Sequence, residues 1–211
     1  MLEERCIFSF EITKEQEEYV EKLVDFSIKN HKVPDIFDKI HQKEYRTTGT
    51  MGEVVFADIY NLKRPEKSFG ADDGQDMGRD FILNGKSIDI KTMRRKNENF
   101  YNDFVLNIPS SQLNKKNSLT DFYCCLSLIK NDKWRASVIG YIDKDKIISG
   151  EIGIFYPKGS IRTKNNGETF TFKEDTYEIK FSEIIPPIIT DNITQLPNFK
   201  KIYLKNYDKN C

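Results

Sequence analysis

The chain has little histidine and no pattern of cysteines, and both shortages narrow the chemistry it can perform. Only His31 and His41 occur in 211 residues, so a histidine base or a histidine-ligated zinc ion has little material. The four cysteines lack C-x-x-C spacing and are Cys6, Cys124, Cys125 and Cys211. We therefore expect neither a disulfide framework nor a zinc site, and a reducing compartment fits this usage.

Long apolar runs and an excess of one charge are also missing. No stretch of about 18 apolar residues occurs, and the first residues, MLEERCIFSFEITKEQ, carry acids where a signal peptide has a basic and then an apolar segment. We expect a cytoplasmic protein without a membrane partner. Lysine plus arginine equals aspartate plus glutamate at 33 each, so no overall basic field indicates nucleic acid.

What the chain does contain is enough apolar material for one core. Hydrophobic residues make up 38% and aromatic residues 12% of the sequence, which predicts a single globular domain over 1–211. We divide it into a helical N-terminal part over about 1–45, a core over about 46–149 and a β-rich elaboration over about 150–211. The class is α/β, with a mixed central β-sheet flanked by helices.

Hydrophobic periodicity predicts three helices in the first third of the chain. The first covers 13–30 and begins with a capping box of Thr13 and Gln16. The second runs from Pro34 to about Tyr45. The third starts near Thr50 and ends near Tyr60, and it carries Glu53 on the same side as apolar residues.

Strands dominate the rest. A strand is expected within 99–109, and Ser110 to Gln112 open a short helix or turn. The segments 121–129 and 134–142 form a hairpin of nearly continuous apolar runs, which suits central strands covered on both faces. The tail from Asn198 is expected to dock as a strand or short helix.

The segment from Asp80 to Lys91 carries the strongest local signal. Asn84-Gly85 between two apolar-rich runs predicts a β-hairpin with a two-residue type I′ turn. That register places Phe81 opposite Ile88 and Asp80 opposite Asp89. Two acids that face each other across a hairpin repel unless something positive lies between them.

Strand alternation places the acids and a lysine on one face of this hairpin. Lys91 lies two residues beyond Asp89 and therefore shares its face. The other face carries the apolar side chains Phe81, Leu83, Ile88 and Ile90. Carboxylate oxygens at this separation suit Mg²⁺ or Mn²⁺, which keep several waters and accept phosphate oxygens.

Simpler explanations exist for each of these residues. Two aspartates can oppose each other by chance on the surface of a chain that is 31% charged, with Lys91 only relieving their repulsion. Glu53 can serve as a helix-dipole acid in the first turn of its helix. The basic residues Arg94, Arg95 and Lys96 either grip phosphates or form a solvated strand end. Three acids in the preceding loop compete with Asp80, and they are Asp72, Asp73 and Asp76.

A helix with an acid, followed by an aspartate and a hairpin that ends in Asp-x-Lys, resembles the PD-(D/E)xK nuclease superfamily, also called the restriction-endonuclease-like fold. The matching residues are Glu53 in GTMGEVVFADIY, Asp80 in GRDFILNG, and Asp89 with Lys91 in SIDIKT. The resemblance covers about 49–142. Arg79 stands where many members have proline, and Gln112 falls where some members have a glutamine.

The resemblance implies a metal-dependent catalytic set made of Glu53, Asp80, Asp89 and Lys91. Asp80, Asp89 and the carbonyl of Ile90 would hold Mg²⁺, with Mn²⁺ as a substitute, and Glu53 would bind the ion directly, through water, or help to hold a second ion. Lys91 would orient or deprotonate the attacking water, or stabilise charge on the phosphate.

The function we expect is a Mg²⁺-dependent deoxyribonuclease, an endonuclease of restriction, phage or repair type with DNA as partner. Arg94, Arg95, Lys96 and Gln112 are the nucleic-acid contacts we predict. A homodimer would supply two active sites for cutting both strands, and the parts outside the core would serve recognition or this contact. Two alternatives stay open: an exonuclease or structure-specific nuclease with the same site, and a binding module without catalysis.

Overall fold

The described residues of this computed structural model, 5–30, 42–66, 79–114, 118–163 and 167–206, are organised around a mixed sheet of six strands. In chain order the strands are β1 Cys6–Glu11, β2 Phe81–Leu83, β3 Lys86–Arg94, β4 Val105–Pro109, β5 Phe122–Lys130, β6 Trp134–Asp143, β7 Ile154–Tyr156, β8 Ile161–Thr163, β9 Thr169–Thr171, β10 Thr176–Lys180 and β11 Lys200–Tyr203. The helices are α1 Lys14–Asn30, α2 Gln42–Ile59, α3 Ser110–Leu113, α4 Lys144–Ile148 and α5 Asp191–Thr194. A turn of 3₁₀-helix covers Phe181–Glu183.

The central sheet has the order β11-β1-β6-β5-β3-β2. Among its described strands β3 and β5 pair in parallel, and the other neighbours are antiparallel. A second sheet has the order β4-β10-β7, and β8 and β9 form a separate ribbon. The chain is therefore of mixed α/β class with a mixed central sheet, as the sequence predicts.

Both long helices pack on one face of the central sheet. Val20 and Val24 of α1 and the apolar residues around Phe56 of α2 share a buried cluster with Phe8 and Leu126. Alternation along β3 directs Ile88 and Ile90 into this cluster, because every second side chain of a strand points to the same face. Among the described residues, no helix combines the length and apolar character needed to cross a membrane.

The opposite face is covered by the second sheet and by short helices. Its buried cluster includes Tyr123 and Cys125 of β5, Ile108 of β4, Ile179 of β10 and Ile147 of α4. The adjacent Cys124 lies in the helix-side cluster, so the neighbouring cysteines point to opposite faces. Strands β5 and β6 are buried on both faces, which confirms their prediction as central strands.

The first helix begins with the predicted capping box. The Thr13 backbone N–H donates to Gln16 Oε1 at 2.9 Å, and the Gln16 N–H donates to Thr13 Oγ1 at 3.2 Å. These two bonds satisfy donors that the first turn of a helix otherwise leaves without partners. The short helix at Ser110 and the docking of the tail as a strand are also confirmed.

The predicted boundary between a second and a third helix is wrong. Helix α2 runs without a break from Gln42 to Ile59 and passes through Gly49. A glycine inside a helix costs only about 1 kcal/mol, and burial of Thr48, Thr50 and Met51 next to it offsets that cost. The start predicted at Pro34 lies outside the described residues, as do His31, His41, Cys211 and the three acids of the 72–76 loop.

The sequence pattern also missed β1. Cys6–Glu11 forms a strand between β11 and β6, with Ile7 and Phe8 almost fully buried. It lies in the part expected to be helical. The neighbouring strand β11 belongs to the C-terminal elaboration. One strand from the N-terminal part and one from the C-terminal part therefore complete the central sheet.

Arg64 joins the two long helices, and its bonds predict how stability depends on pH. It donates to Glu15 of α1 at 2.6 and 2.8 Å and to Asp58 of α2 at 2.6 and 2.7 Å. Hydrogen bonds from Arg64 hold the pKa of Glu15 below its ordinary value. A lowered folded-state pKa stabilises the fold above the unfolded pKa of about 4.3, and that contribution is lost as pH falls through the folded value.

We expect Arg64→Met to destabilise the protein by about 1 kcal/mol at pH 7, since Glu15 is largely solvent-exposed. The difference from wild type should shrink as pH is lowered from about 6 to 3. Urea unfolding at several pH values measures it. A difference that stays constant would assign the effect to packing of Arg64 on the Tyr19 ring, which lies 5.0 Å away.

Candidate functional site

The predicted hairpin is present with its predicted turn, and its predicted register holds between Phe81–Leu83 and Lys86–Ile88. Asn84 has φ 51° and Gly85 has φ 76°, and a type I′ turn requires positive φ at both central residues. Phe81 pairs with Ile88, and Leu83 pairs with Lys86. The turn therefore fixes which residues of β3 lie beside the start of β2.

Asp80 lies directly before β2 and binds β3 on both sides of Asp89. Its backbone N–H donates to the Ile88 carbonyl at 2.9 Å. Its carboxylate Oδ2 accepts the Ile90 N–H at 2.6 Å. The side chain thus continues the ladder where the strand begins, and it places the Asp80 carboxylate beside the peptide group between Asp89 and Ile90.

The backbone carbonyl of Ile90 lies on the edge of β3 that faces Asp80. In an antiparallel ladder, the N–H and C=O of one residue point toward the same neighbouring strand. The Ile90 N–H points toward Asp80, so its carbonyl oxygen also points to this side. The pairing of β2 with β3 ends at Ile88, and the Ile90 carbonyl lies beyond that end.

Asp89 and Lys91 project from one face of β3 and form an ion pair. Lys91 Nζ lies 2.6 Å from Asp89 Oδ1, and the exposed fractions of the two side chains are 22% and 13%. The contact confirms that the two residues share a face. A pair this close to burial is screened less by salt than a pair on the surface.

Tyr123 is a neighbour of this pair that the sequence did not reveal. It is fully buried on β5 and is the ladder partner of Asp89 in the parallel pairing. Lys91 Nζ lies 5.4 Å from the centroid of its ring. Burial, and then the negative charge of Asp89, raise the pKa of the Tyr123 phenol, which stays neutral.

Glu53 comes from α2, on the other side of β3. The preceding Gly52 packs on Thr92 of β3, and Asp58 accepts a bond from Gln16 of α1 at 2.6 Å. At 100° per residue, Glu53 lies about 140° around the helix from Asp58. It therefore faces away from α1, and it is half-buried. Its role toward the site stays a prediction.

The two arginines predicted to contact nucleic acid lie on opposite faces of the sheet. Arg94 donates to Glu44 of α2 and stacks on Trp134, with 5.0 Å from its guanidinium carbon to the ring centroid. Arg95 instead places its guanidinium 4.2 Å from the centroid of Phe104. Strand alternation separates the two, so they do not form one basic surface.

Arg95 is engaged inside the fold. Phe100 and Phe181 also contact its guanidinium, at 5.7 and 5.1 Å. Burial lowers the pKa of Arg95, and its Nε has no hydrogen-bond partner in the described structure. Lys96 and Gln112 are exposed, on the segment after β3 and on α3. Binding of nucleic acid by any of these residues stays a prediction.

The donor atoms at the hairpin are two carboxylates and one backbone carbonyl. Within the described ranges, no three His, Cys, Asp or Glu side chains form a group that could hold a metal ion. Oxygen donors from one or two carboxylates, with the remaining positions left for water and phosphate, are the set that Mg²⁺ commonly uses in proteins.

Comparison with protein family models, with curated proteins and with solved structures finds no match for this chain.

Proposed function

We propose that this protein is a Mg²⁺-dependent nuclease that hydrolyses phosphodiester bonds of DNA, with a restriction-endonuclease-like core. The observation that carries the proposal is the position of Asp80. Its carboxylate meets the Ile90 N–H at 2.6 Å, one residue from Asp89, while Lys91 pairs with Asp89 at 2.6 Å. Two acids, a backbone carbonyl and an ammonium group thus gather at one end of a short hairpin.

The acids and the carbonyl are the groups that would hold the cation. When bound, Mg²⁺ would lower the pKa of a coordinated water and neutralise charge that builds on the phosphate. Asp80 would bind the cation through its carboxylate, which also accepts the Ile90 N–H. Asp89 would bind the cation through its carboxylate, either with Oδ2 alone or with both oxygens, while Oδ1 faces Lys91.

Lys91 supplies donors beside these acids. An ammonium has three N–H groups and no acceptor, so it can hold an attacking water or a phosphate oxygen while it contacts Asp89. A fixed donor that points to developing negative charge contributes more in a partly desolvated site than in water. Glu53 would add a ligand through water, and Lys96 and Gln112 would contact the DNA backbone.

Cleavage of plasmid and linear DNA tests this function. We expect the wild type to open supercoiled circles in Mg²⁺ or Mn²⁺ and to be inactive in EDTA. A single-site monomer produces nicked circles before linear DNA, whereas a paired enzyme produces linear DNA directly. Degradation of linear DNA alone would identify an exonuclease. Metal-independent cleavage, or a folded protein inert on DNA, would refute the proposal.

The Asp80 carboxylate accepts the Ile90 N–H, which is a structural role. One substitution separates this role from metal binding. Asp80→Asn keeps an oxygen that accepts the Ile90 N–H, so we expect a loss of only about 1 kcal/mol in unfolding free energy. Loss of the charge should reduce cleavage by about 10²-fold or more, because a carboxylate ligand is removed.

Asp121→Asn is a matched control for this variant. Asp121 also accepts a backbone N–H of β3, from Ser87 at 2.7 Å. We expect it to lower stability similarly and to leave cleavage within about twofold, as a surface change without a catalytic role. Equal cleavage by Asp80→Asn and wild type in Mg²⁺ would reduce Asp80 to a strand-end cap.

A further inference from the structure

The ring of Tyr123 contacts the Lys91 ammonium from a fixed position in the sheet. Tyr123 lies in the interior strand β5, has no exposed surface, and pairs with Asp89 in the parallel ladder. Its position is therefore set by the strands on both sides of it. Lys91 Nζ is 5.4 Å from the ring centroid, within the distance of about 6 Å at which the face of a ring attracts a cation.

The ammonium thus has two attractive neighbours of different character. Asp89 Oδ1 at 2.6 Å is a full negative charge, and the ring face is a weaker quadrupole. Under the proposed function, Asp89 would also bind a divalent cation. Its attraction for Lys91 then falls, and the cation repels the ammonium. The ring is a neutral group whose attraction for Lys91 is unaffected by this change.

The hydroxyl group of Tyr123 is not the part that makes this contact. Its oxygen is buried and has no hydrogen-bond partner in the described structure. Burial and the Asp89 charge both keep the phenol protonated. A neutral phenol is a poor ligand for a hard cation, which prefers carboxylate and carbonyl oxygens. The aromatic face is therefore the feature of Tyr123 that acts on the site.

We propose that Tyr123 is a positioning residue, which holds the Lys91 ammonium at the site through the face of its ring. The proposal rests on the nuclease function proposed above. It assigns a role to a core residue that is two strands away from the open edge of the hairpin. The ring would hold Lys91 in place where a cation on Asp89 weakens the attraction between Asp89 and the ammonium.

Three variants separate the ring from the hydroxyl group and from the general stability of the sheet. Tyr123→Phe keeps the ring, and Tyr123→Met removes it with little loss of volume. Phe122→Leu is the matched control, because Phe122 directly precedes Tyr123 in β5 and packs on the helix side. Urea unfolding shows whether each variant is folded.

The first readout is NMR of the Lys91 side chain without metal or DNA. An aromatic ring shields nuclei above its face, so the ε-methylene signal of Lys91 should lie upfield of that of the exposed Lys63. We expect Tyr123→Phe and Phe122→Leu to keep this shift and Tyr123→Met to lose it. Absence of the shift in the wild type, or its loss in Tyr123→Phe, would overturn the proposal.

The second readout is the split between kcat and KM for plasmid nicking in Mg²⁺. We expect Tyr123→Met to lower kcat about tenfold with KM within about twofold, and Tyr123→Phe to restore it. A kcat unchanged in folded Tyr123→Met would overturn the positioning role. If the wild type shows the NMR shift but cleaves no DNA, the nuclease function fails, and the ring–ammonium contact stands without a catalytic role.

Discussion

Asp89→Asn is expected to reduce metal-dependent DNA cleavage by about 10³-fold or more, the largest effect on activity in this protein. The side chain keeps its shape but loses the charge that pairs with Lys91, whose Nζ lies 2.6 Å away, and that would bind the cation under the proposed function. Loss of about 4 kcal/mol of transition-state stabilisation corresponds to 10³ in rate. Nicking of supercoiled plasmid across a Mg²⁺ titration measures it, with partial recovery at high metal concentration.

The fold should tolerate this change. In this variant Lys91 still contacts the Tyr123 ring, and its side chain is 22% exposed to solvent. We therefore expect the free energy of unfolding to change by no more than about 2 kcal/mol. Glu11→Gln is the control, since Glu11 also pairs with a lysine, Lys133, but lies on β1. Cleavage by Asp89→Asn at the wild-type rate would remove the hairpin from the mechanism.

Gly52→Ala is expected to destabilise the protein by about 2 to 3 kcal/mol, the largest effect on stability among these predictions. In an exposed helix this substitution stabilises by about 1 kcal/mol, because glycine has the greater backbone freedom when unfolded. Here the sign reverses. A Cβ on Gly52 would overlap the hydroxyl of Thr92 and lie 3.0 Å from its Cβ, so α2 must move away from β3.

Removing the obstructing side chain tests the cause. Within the described part of the chain, Thr92 Oγ1 is buried without a hydrogen-bond partner, so Thr92→Ala removes an unsatisfied hydroxyl along with a methyl group. We expect Gly52→Ala with Thr92→Ala to recover at least 1 kcal/mol relative to additivity. Thermal or urea unfolding of the wild type, the two single variants and the double variant completes this double-mutant cycle. Additive effects would mean that Thr92 is not the obstacle.

The hairpin was predictable because residues adjacent in the sequence determine its geometry. Asn84 and Gly85 adopt the positive φ angles that a type I′ turn requires, and a two-residue turn determines the pairing of the strands. The capping box of α1 is local in the same way. Alternation then places Asp89 and Lys91 together without knowledge of any other strand.

Features that depend on distant segments were not predictable from the same patterns. Tyr123 meets Asp89 only through the parallel pairing of β3 with β5. The residues of an apolar strand do not by themselves show how it aligns with a distant parallel strand. The strand β1 was missed because its burial depends on β6 and β11. Arg94 and Arg95 separate because β3 continues to Arg94, beyond the expected end of the hairpin at Lys91.

Glu53 illustrates the limit of helical periodicity. The pattern places it on the same side of the helix as apolar residues, and in the structure it is half-buried. Periodicity gives a direction around the helix axis but no distance to the hairpin, because the position of α2 is set by packing of residues such as Gly52 on β3.

The central claim is that Asp80, Asp89 and the Ile90 carbonyl bind one divalent cation. Paramagnetic Mn²⁺ added to ¹⁵N-labelled protein tests it, because Mn²⁺ broadens the amide signals of nearby residues. We expect broadening centred on Asp80, Asp89 and Ile90, reversed by EDTA and by excess Mg²⁺ and absent in Asp89→Asn. Broadening centred elsewhere, or unchanged in Asp89→Asn, would contradict the assignment of the cation to this hairpin.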